Sequence, residues 1–392
     1  MFSQEPKTTE KQPIQLETVE IKNEKSTVEH KLDKKIFNVG TDLISKGGSA
    51  LDILNNVPSV TVNSDGVVNL RGNSGVRILI NGKPSVLSTN NGLEQIPSES
   101  IEKIEVITNP SSKYDAEGTA GIINIVLKKN KKTGFSSSAQ MRLGIPENNA
   151  LGYNVSFKNK KINLFSDVRL QKIHRIRKES TTRTNFVNNI PNDYLVGDID
   201  LNRYNKTFNA YFGGDYYIND KNTLTLSYYY RNNTSNNNSE TTYDYLDSSK
   251  NRVQSLQSFL DYREPQIANQ IELNYVKNFD KENKKLTLNL QYDFWNDDEN
   301  EMITENLNNA NVITQKLLKS RDIESSKDFL FQTDYSNPIN EKSKIEMGLK
   351  SEIRTIDSDY EVFEDNIPNT AMTNILHYKE QIFGAYFQYG SS

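Results

Sequence analysis

The chain has 392 residues, a formal net charge of −4, no cysteine and three histidines. This composition excludes a disulfide framework and a cysteine-based zinc site, and its near-neutral charge gives no argument for a nucleic-acid partner. No run approaches the roughly 18 apolar residues that a transmembrane helix needs, although this does not exclude a membrane wall of strands, in which only alternate residues are apolar.

Residues 1–35 are polar and charged and show no sustained period, so we expect a flexible N-terminal arm. The first seven residues lack the apolar segment of a secretory signal, and we expect such a signal to have been removed or to lie outside this chain. One short stretch of the arm alternates β-prone and polar residues. It consists of Leu16, Glu17, Thr18, Val19, Glu20 and Ile21.

Residues 36–132 alternate short β-prone runs with Gly and Pro, which predicts a small α+β domain. Ser49 should cap a short helix that Pro58 stops, and Asn81-Gly82 predicts a tight turn. The predicted strands of this domain lie at 67–70, 76–80, 104–107 and 122–127.

Residues 133–392 have a different pattern, in which apolar and polar residues alternate, as in Leu286 to Phe294. Successive side chains of a strand point to opposite faces, so each such strand has one apolar and one polar face. Ten strands are predicted, near 134–144, 150–158, 161–171, 204–217, 222–231, 266–278, 285–295, 326–336, 344–353 and 377–389.

The connections between these strands alternate between short turns and long polar loops, with the long loops predicted at 172–203, 232–265, 296–325 and 354–376. Outer-membrane β-barrels have short periplasmic turns and longer outer loops. Alternation alone would also fit a soluble sheet with one wet face. The one-sided loop lengths, together with aromatic strand ends such as Tyr386 to Tyr389, favour the membrane barrel.

Five short motifs follow one another in the domain at 36–132. They are Leu51-Asp52-Ile53-Leu54 with Val57-Pro58-Ser59-Val60, Asn69-Leu70-Arg71-Gly72, Ile78-Leu79-Ile80-Asn81-Gly82-Lys83-Pro84, Ile101 to Ile107 with Pro110, Ser111 and Tyr114, and Gly121-Ile122-Ile123-Asn124-Ile125. In this order they resemble the plug domain of TonB-dependent outer-membrane transporters. The strands that follow resemble, more loosely, the outer-membrane β-barrel that surrounds such a plug. The implied fold is mainly β: a small α+β plug domain at 36–132, then an antiparallel transmembrane β-barrel at 133–392.

The resemblance implies two binding regions. The stretch Leu16–Ile21 resembles a TonB box, a segment that adds a strand to the sheet edge of a periplasmic TonB-like protein; the alternative is a disordered tail that happens to contain Val and Ile. Ligand contact is implied at the apical loops of the plug, where the alternative is ordinary turn residues. The implied apical residues are Arg71, Gly72, Asn73, Leu87, Ser88, Lys113 and Tyr114.

The chain departs from the family at Lys103 and Thr108, which stand where the family often has arginines. The arginine–glutamate contacts that fasten some family plugs to the barrel wall are therefore not transferred to this chain. Arg71 is a candidate for such a contact; the alternative is that it satisfies buried carbonyl groups of the plug.

No catalytic constellation is visible, and we expect neither an enzyme nor a cofactor. The acidic residues Asp297, Asp298, Glu299 and Glu301 lie in a predicted loop, which could bind Ca²⁺ or simply be solvated. The expected function is import of a scarce nutrient, such as an iron chelate or an oligomeric nutrient, across the outer membrane of a diderm bacterium. The alternative is a plugged barrel that binds a surface partner or has a structural role without transport.

Ten strands are fewer than the roughly 22 of plugged outer-membrane transporters. A barrel of ten strands is too narrow to enclose a plug of about a hundred residues, because diameter grows with strand number. We therefore expect a truncated chain, whose strands form an open wall beside the plug.

Overall fold

The computed structural model describes residues 27–30, 34–40, 48–63, 66–82, 93, 96–108, 121–128, 133–309, 312–340 and 343–391. These residues form a five-stranded sheet, a two-stranded sheet and one large antiparallel sheet, which we call the wall. The five-stranded sheet and the elements packed on it are called the plug. Within the described residues, no helix is both long and apolar enough to cross a membrane.

The described residues of the plug include one short α-helix, a 3₁₀ turn and seven strands. In chain order they are β1 (Thr27–His30), β2 (Lys35–Asn38), α1 (Ala50–Leu54), β3 (Val60–Val62), β4 (Val68–Leu70), β5 (Val76–Ile80), the 3₁₀ turn (Ser98–Ser100), β6 (Ile101–Ile107) and β7 (Gly121–Leu127). The five-stranded sheet has the order β1-β2-β6-β7-β5, and β5 and β7 are parallel. The predicted helix and all four predicted strands are confirmed.

Helix α1 begins where the sequence places its cap. The Asp52 carboxylate accepts hydrogen bonds from the Ser49 backbone N–H and hydroxyl at 2.7 and 2.9 Å. This arrangement satisfies a donor at the start of the helix. The predicted turn at Asn81-Gly82 is also confirmed, since both residues have positive φ angles of 53° and 85°.

The plug core is packed on both faces of β7. Ile123 and Ile125 belong to a large buried cluster with Leu54 and Ile104, whereas Ile122 packs in a smaller one with Leu79 and Ile107. A strand covered on both faces needs successive apolar residues, and β7 has them except at Asn124, which is buried and hydrogen-bonded.

Strand β1 lies inside the region predicted as the flexible arm. It pairs antiparallel with β2 from Thr27↔Asn38 to His30↔Lys35, and β2 pairs with β6. The described part of the arm is therefore an edge strand of the plug sheet. The sequence analysis did not identify β1 because four residues give too short a period to recognise.

The wall consists of ten long strands and one of two residues. They are β8 (Gly134–Arg142), β9 (Asn148–Lys158), β10 (Ile162–Val187), β11 (Ile190–Asn219), β12 (Asn222–Leu246), β13 (Arg252–Asn278), β14 (Lys285–Asn309), β15 (Val312–Pro338), β16 (Ser343–Glu364), β17 (Ile367–Pro368) and β18 (Asn374–Ser391). Each long strand pairs antiparallel with the next long strand in the chain, and β17 only caps the end of β16. Among the described strands, β8 and β18 are the two edges and do not pair with each other. The prediction of about ten strands in an open wall is confirmed.

The two faces of the wall differ in chemistry, as the alternation predicts. The face that the plug contacts, here called the inner face, buries polar side chains such as Arg231 (2% exposed), Gln291 (2%) and Asn289 (3%). The opposite, outer face exposes apolar side chains, for example Leu226 at 57% and Phe383 at 72%. On β14 the outer apolar row runs from Leu286 to Phe294 and then gives way to Asn296 and Asp298.

The prediction of long loops between the wall strands is wrong. The segments 172–203, 232–265, 296–325 and 354–376 consist mostly of strand, so that β11 alone has 30 residues. The hairpins end in short turns such as Asn188-Asn189 and Asp365-Asn366, whose residues all have positive φ angles. Beyond the apolar row polar residues are common on both faces of a hairpin, so the regular alternation is lost from the sequence. Backbone hydrogen bonding between the strands continues, because it does not depend on apolar side chains.

Candidate functional site

The β4–β5 connection forms a tight turn at the predicted plug apex. Leu70 and Asn73 exchange two backbone hydrogen bonds at 2.9 and 3.1 Å, and the central residues Arg71 and Gly72 have φ angles of 54° and 80°. The Arg71 N–H also donates to the Ser59 carbonyl at 2.9 Å. Such a turn tolerates glycine without strain. It presents the exposed Arg71 and Asn73 side chains on a backbone fixed at three points.

The other predicted site residues lie outside the described residues. These are the apical Leu87, Ser88, Lys113 and Tyr114 and the whole box, Leu16, Glu17, Thr18, Val19, Glu20 and Ile21. The described apex is therefore the single turn at 71–73.

Lys103, which stands at a family arginine position, forms its ion pair with another residue of the plug and not with the wall. Its ammonium lies 3.0 Å from the Glu105 carboxylate, which also accepts hydrogen bonds from Lys34 at 3.1 Å and from the Asn124 amide at 3.0 Å. Burial alone would raise the pKa of Glu105, but these hydrogen bonds and the nearby Lys34 charge hold it below its ordinary value. The network ties the residue before β2 to β6 and β7 inside the plug.

Arg71 shows neither of the contacts considered for it. The side chain is exposed, and in the described part of the chain it makes no ion pair with the wall and no bond to a buried carbonyl. The described structure therefore leaves Arg71 as an exposed residue of the apical turn.

A cleft of about 260 Å³ separates the plug from the inner face of β8–β10. The plug side includes Ser49, Asp52, Asn55 and Asn63, and the wall side includes Arg142, Asn148, Gln171, Ile173 and Arg175. Below the cleft, Arg169 of the wall interacts electrostatically with Glu99 of the plug and with Asp167. Polar and charged groups therefore line this part of the plug–wall boundary.

Further along the wall, the inner face is a network of polar side chains. The Thr207 hydroxyl donates to Asn233 at 2.8 Å, and the Tyr229 hydroxyl donates to Asn209 at 3.1 Å. A network of this kind keeps polar groups satisfied on a face that borders an aqueous interior.

The acidic residues at 297–301 are part of β14 rather than a loop. The pleat of the strand places Asp297, Glu299 and Glu301 on the inner face and Asp298 on the outer face. Arg321 engages Asp298 with two hydrogen bonds of 2.8 and 2.7 Å. Among the described residues, no group of three or more His, Cys, Asp or Glu side chains has the geometry to hold a metal ion.

Sequence reasoning missed the cleft residues on the wall. Alternation marks Arg142, Gln171 and Arg175 as inner-face residues, but their neighbourhood depends on strand pairing. Ala150 pairs with Arg142 on one side and with Gln171 on the other. The feature that marks the cleft is a small residue lying between two long polar ones on neighbouring strands. It cannot be recognised from the sequence, because the register between the strands must be known first.

Two families match parts of the chain. Residues 38–122 match the TonB-dependent Receptor Plug Domain, and residues 277–392 match the Outer membrane protein beta-barrel family. The two matches fall on the plug and on the second half of the wall.

Similar proteins include an outer-membrane virulence protein and two siderophore or ferric-chelate receptors. An iron-regulated outer membrane virulence protein of Vibrio cholerae is 34% identical over 116 residues, which cover 26% of this chain and 18% of that protein. The siderophore receptor PiuA of Acinetobacter baumannii is 12% identical with a TM-score of 0.44, covering 94% of this chain and 62% of PiuA. The ferric yersiniabactin uptake receptor FyuA of Yersinia pestis is 10% identical with a TM-score of 0.39, covering 91% and 60%. The chain thus matches less than a fifth of the curated relative and about three fifths of these receptors.

Proposed function

We propose that this chain, a member of the TonB-dependent outer-membrane receptors, takes part in the energy-coupled import of a scarce nutrient. The chain lies in the outer membrane, where the apolar outer face of the wall meets lipid. The observation behind the proposal is a plug that lies against the polar inner face of a wall whose other face is apolar. We divide the chain into an arm at 1–35, a plug at 36–132 and a barrel part at 133–392.

The proposed energy-coupling partner is a periplasmic TonB-like protein that binds the box Leu16–Ile21. An extended segment of alternating residues can add a strand to the edge of a partner's sheet. Strand β1 follows this box in the chain and is hydrogen-bonded to β2, which is bonded to β6. A pull on the arm would therefore reach the plug sheet through main-chain hydrogen bonds.

The proposed ligand contacts are the plug apices Arg71, Gly72, Asn73, Leu87, Ser88, Lys113 and Tyr114. The exposed guanidinium of Arg71 and the carboxamide of Asn73 suit a ligand with anionic or carbonyl oxygens. Similarity to an iron-regulated relative favours an iron chelate over an oligomeric nutrient. We propose no catalytic role, since the plug matches the plug domain of a receptor family.

Deletion of the box tests import directly. In iron-limited cells, deletion of residues 16–21 should reduce ⁵⁵Fe uptake from spent medium to the level of cells that lack the protein. Deletion of residues 4–9, six residues of the same arm, should leave uptake unchanged. Both variants should reach the outer membrane at equal abundance.

Uptake that survives loss of 16–21 would rule out coupled import and favour the alternative, a surface-binding or structural barrel. A pull-down with the C-terminal domain of a TonB-like protein gives a second measurement. It should capture the unaltered chain and the 4–9 deletion, but not the 16–21 deletion.

A further inference from the structure

We propose that the cleft between the plug and β8–β10 binds a small hydroxylated carboxylate, of the sugar-acid class. The apical turn at 71–73 is not part of the cleft lining. The proposal does not rest on the import function, because a site in this cleft could be occupied whether or not the chain transports.

The shape of the cleft comes from the register of three strands. On one row of the wall, Arg142 and Gln171 lie on either side of Ala150. The short side chain of Ala150 leaves a recess between two long ones. One row further along, Asn148 pairs with Ile173 and continues the recess. A volume of about 260 Å³ lies just below the roughly 300–1,000 Å³ of typical ligand pockets, so the ligand is small.

The hydrogen-bonding groups on the wall side of the cleft are suited to binding hydroxyl groups. Gln171 is 5% exposed, and neither its amide nitrogen nor its carbonyl oxygen has a hydrogen-bond partner in the structure. The Asn148 carbonyl oxygen also lacks a partner. A buried polar atom without a hydrogen bond lowers the stability of the folded protein. Two acceptors and one donor in the cleft can therefore gain hydrogen bonds from a bound molecule. A hydroxyl group both donates and accepts, and a polyhydroxylated molecule can satisfy all three atoms.

The charges of the lining favour a carboxylate on that molecule. Arg142 and Arg175 contribute two guanidinium groups, and Asp52 is the acidic residue of the lining. The Asp52 carboxylate already accepts two hydrogen bonds from Ser49. Two guanidinium groups against one carboxylate give the described lining an excess of positive charge, which attracts an anion.

The apolar part of the lining is small and suits the C–H groups of a sugar acid. Leu51 and Val62 lie on the plug side and Ile173 on the wall side. Both the plug and the wall therefore contribute polar and apolar contacts.

Titration calorimetry on the purified chain in detergent tests the proposal, with gluconate as the probe. Gln171→Leu removes both unpartnered amide atoms at similar volume, and we expect binding roughly tenfold weaker or more. Gln291→Leu makes the same change at a buried inner-face glutamine on β14, outside the cleft, and should bind gluconate like the unaltered chain. Ala150→Leu fills the recess without removing a polar group, and binding should be lost; Ala150→Val serves if leucine prevents folding.

The probes separate the two parts of the ligand chemistry. Sorbitol has the hydroxyls without the carboxylate, and acetate has the carboxylate without the hydroxyls; each should bind at least tenfold more weakly than gluconate. Arg175→Gln should weaken gluconate but not sorbitol. The site is refuted if the unaltered chain does not bind gluconate, or if Gln171→Leu and both Ala150 variants bind it normally. Equal affinity for sorbitol and gluconate would refute the carboxylate requirement.

Discussion

The plug and the wall are both built of β-strands, yet they place apolar residues in opposite ways. In the plug, the apolar side chains of Ile104, Ile123 and Ile125 are fully buried in the core. In the wall, apolar side chains such as Leu226 point away from the plug and are exposed, whereas Asn289 and Gln291 are buried. The plug is ordered by an apolar core, and the wall by lipid on its outer face and a polar network on its inner face.

This contrast shows that apolar side chains leave water in different ways in the two regions: they enter a protein core in the plug and lipid in the wall. Removing apolar surface from water stabilises the plug. An apolar residue on the outer face of the wall gains the same transfer free energy from lipid without being packed in protein. Substitutions that exchange polar and apolar character should therefore have opposite consequences in the two regions.

The largest expected effect is the loss of core packing in the plug. Ile123→Ala should destabilise the plug by about 2–5 kcal/mol, because it removes buried methyl groups and leaves a cavity. Leu226→Ala, on the outer face of β12, should cost at most about 1 kcal/mol, since lipid or detergent fills the space. Hydrogen exchange of β7 and β12 amides measures both. Similar losses at the two positions would abolish the contrast.

Charge on the outer face of the wall should have a comparable but slightly smaller effect. Leu288→Arg should disfavour insertion by roughly 2–4 kcal/mol if the residue lies near the bilayer midplane. Asn289→Arg, one residue along and on the inner face, should be much milder. The fraction folded into vesicles, read from heat-modifiable gel migration, reports insertion. Equal effects of the two substitutions would contradict the orientation of β14.

The charged network of the plug should give an intermediate effect that depends on pH. The pKa of Glu105 is lowered in the folded state, so its contribution is present above its ordinary pKa and is lost as pH falls through the folded value. Glu105→Gln should destabilise the plug by about 1–3 kcal/mol at pH 7, and the difference should shrink below pH 4 as the native carboxylate is protonated.

Exchange of the β6 and β7 amides, corrected for the intrinsic effect of pH, measures this difference. Glu102→Gln, at an exposed residue of the same strand β6, serves as a control because Glu102 lies outside the network. A Glu105 difference that stays constant from pH 7 to pH 3.5 would mean that shape, and not charge, is the source.

The smallest expected effect lies in the hairpin extensions beyond the apolar row. Burial, together with the Glu264 carboxylate, raises the pKa of Asp297 to about 7. The folded state then holds more protons than the unfolded state between about pH 4 and pH 7, so stability falls as pH rises through that window. Asp297→Asn should therefore stabilise the hairpin by about 1 kcal/mol at pH 8, after allowance for solvent screening, and have little effect at pH 4.

Asp298 is the matched control, because it is the next residue and points to the opposite face. Hydrogen bonds from Arg321 lower the pKa of Asp298, so Asp298→Asn should destabilise the hairpin at pH 8 rather than stabilise it. Protection of amides 296–300 reports both variants. The same sign for the two substitutions would refute the assignment of the faces above the apolar row.

The sequence predicted much of this fold because its local patterns have a direct physical cause. A strand with one face in lipid must alternate, which revealed the ten wall strands, and the capped start of α1 and the turn at Asn81-Gly82 follow from backbone chemistry. Where both faces meet water, as in β11 beyond its apolar row, the same backbone pairing leaves no pattern, and strands were mistaken for loops.

The sequence by itself determined the strand faces, the plug elements and the order of the two regions. The tertiary structure alone decided which residues meet across the chain: Lys103 with Glu105 and Asn124 in the plug, and Arg142, Ala150 and Gln171 on one row of the wall. The reason is that periodicity fixes the direction of a side chain along its own strand, whereas its neighbours depend on the register between strands, and a shift of one residue would change all of them.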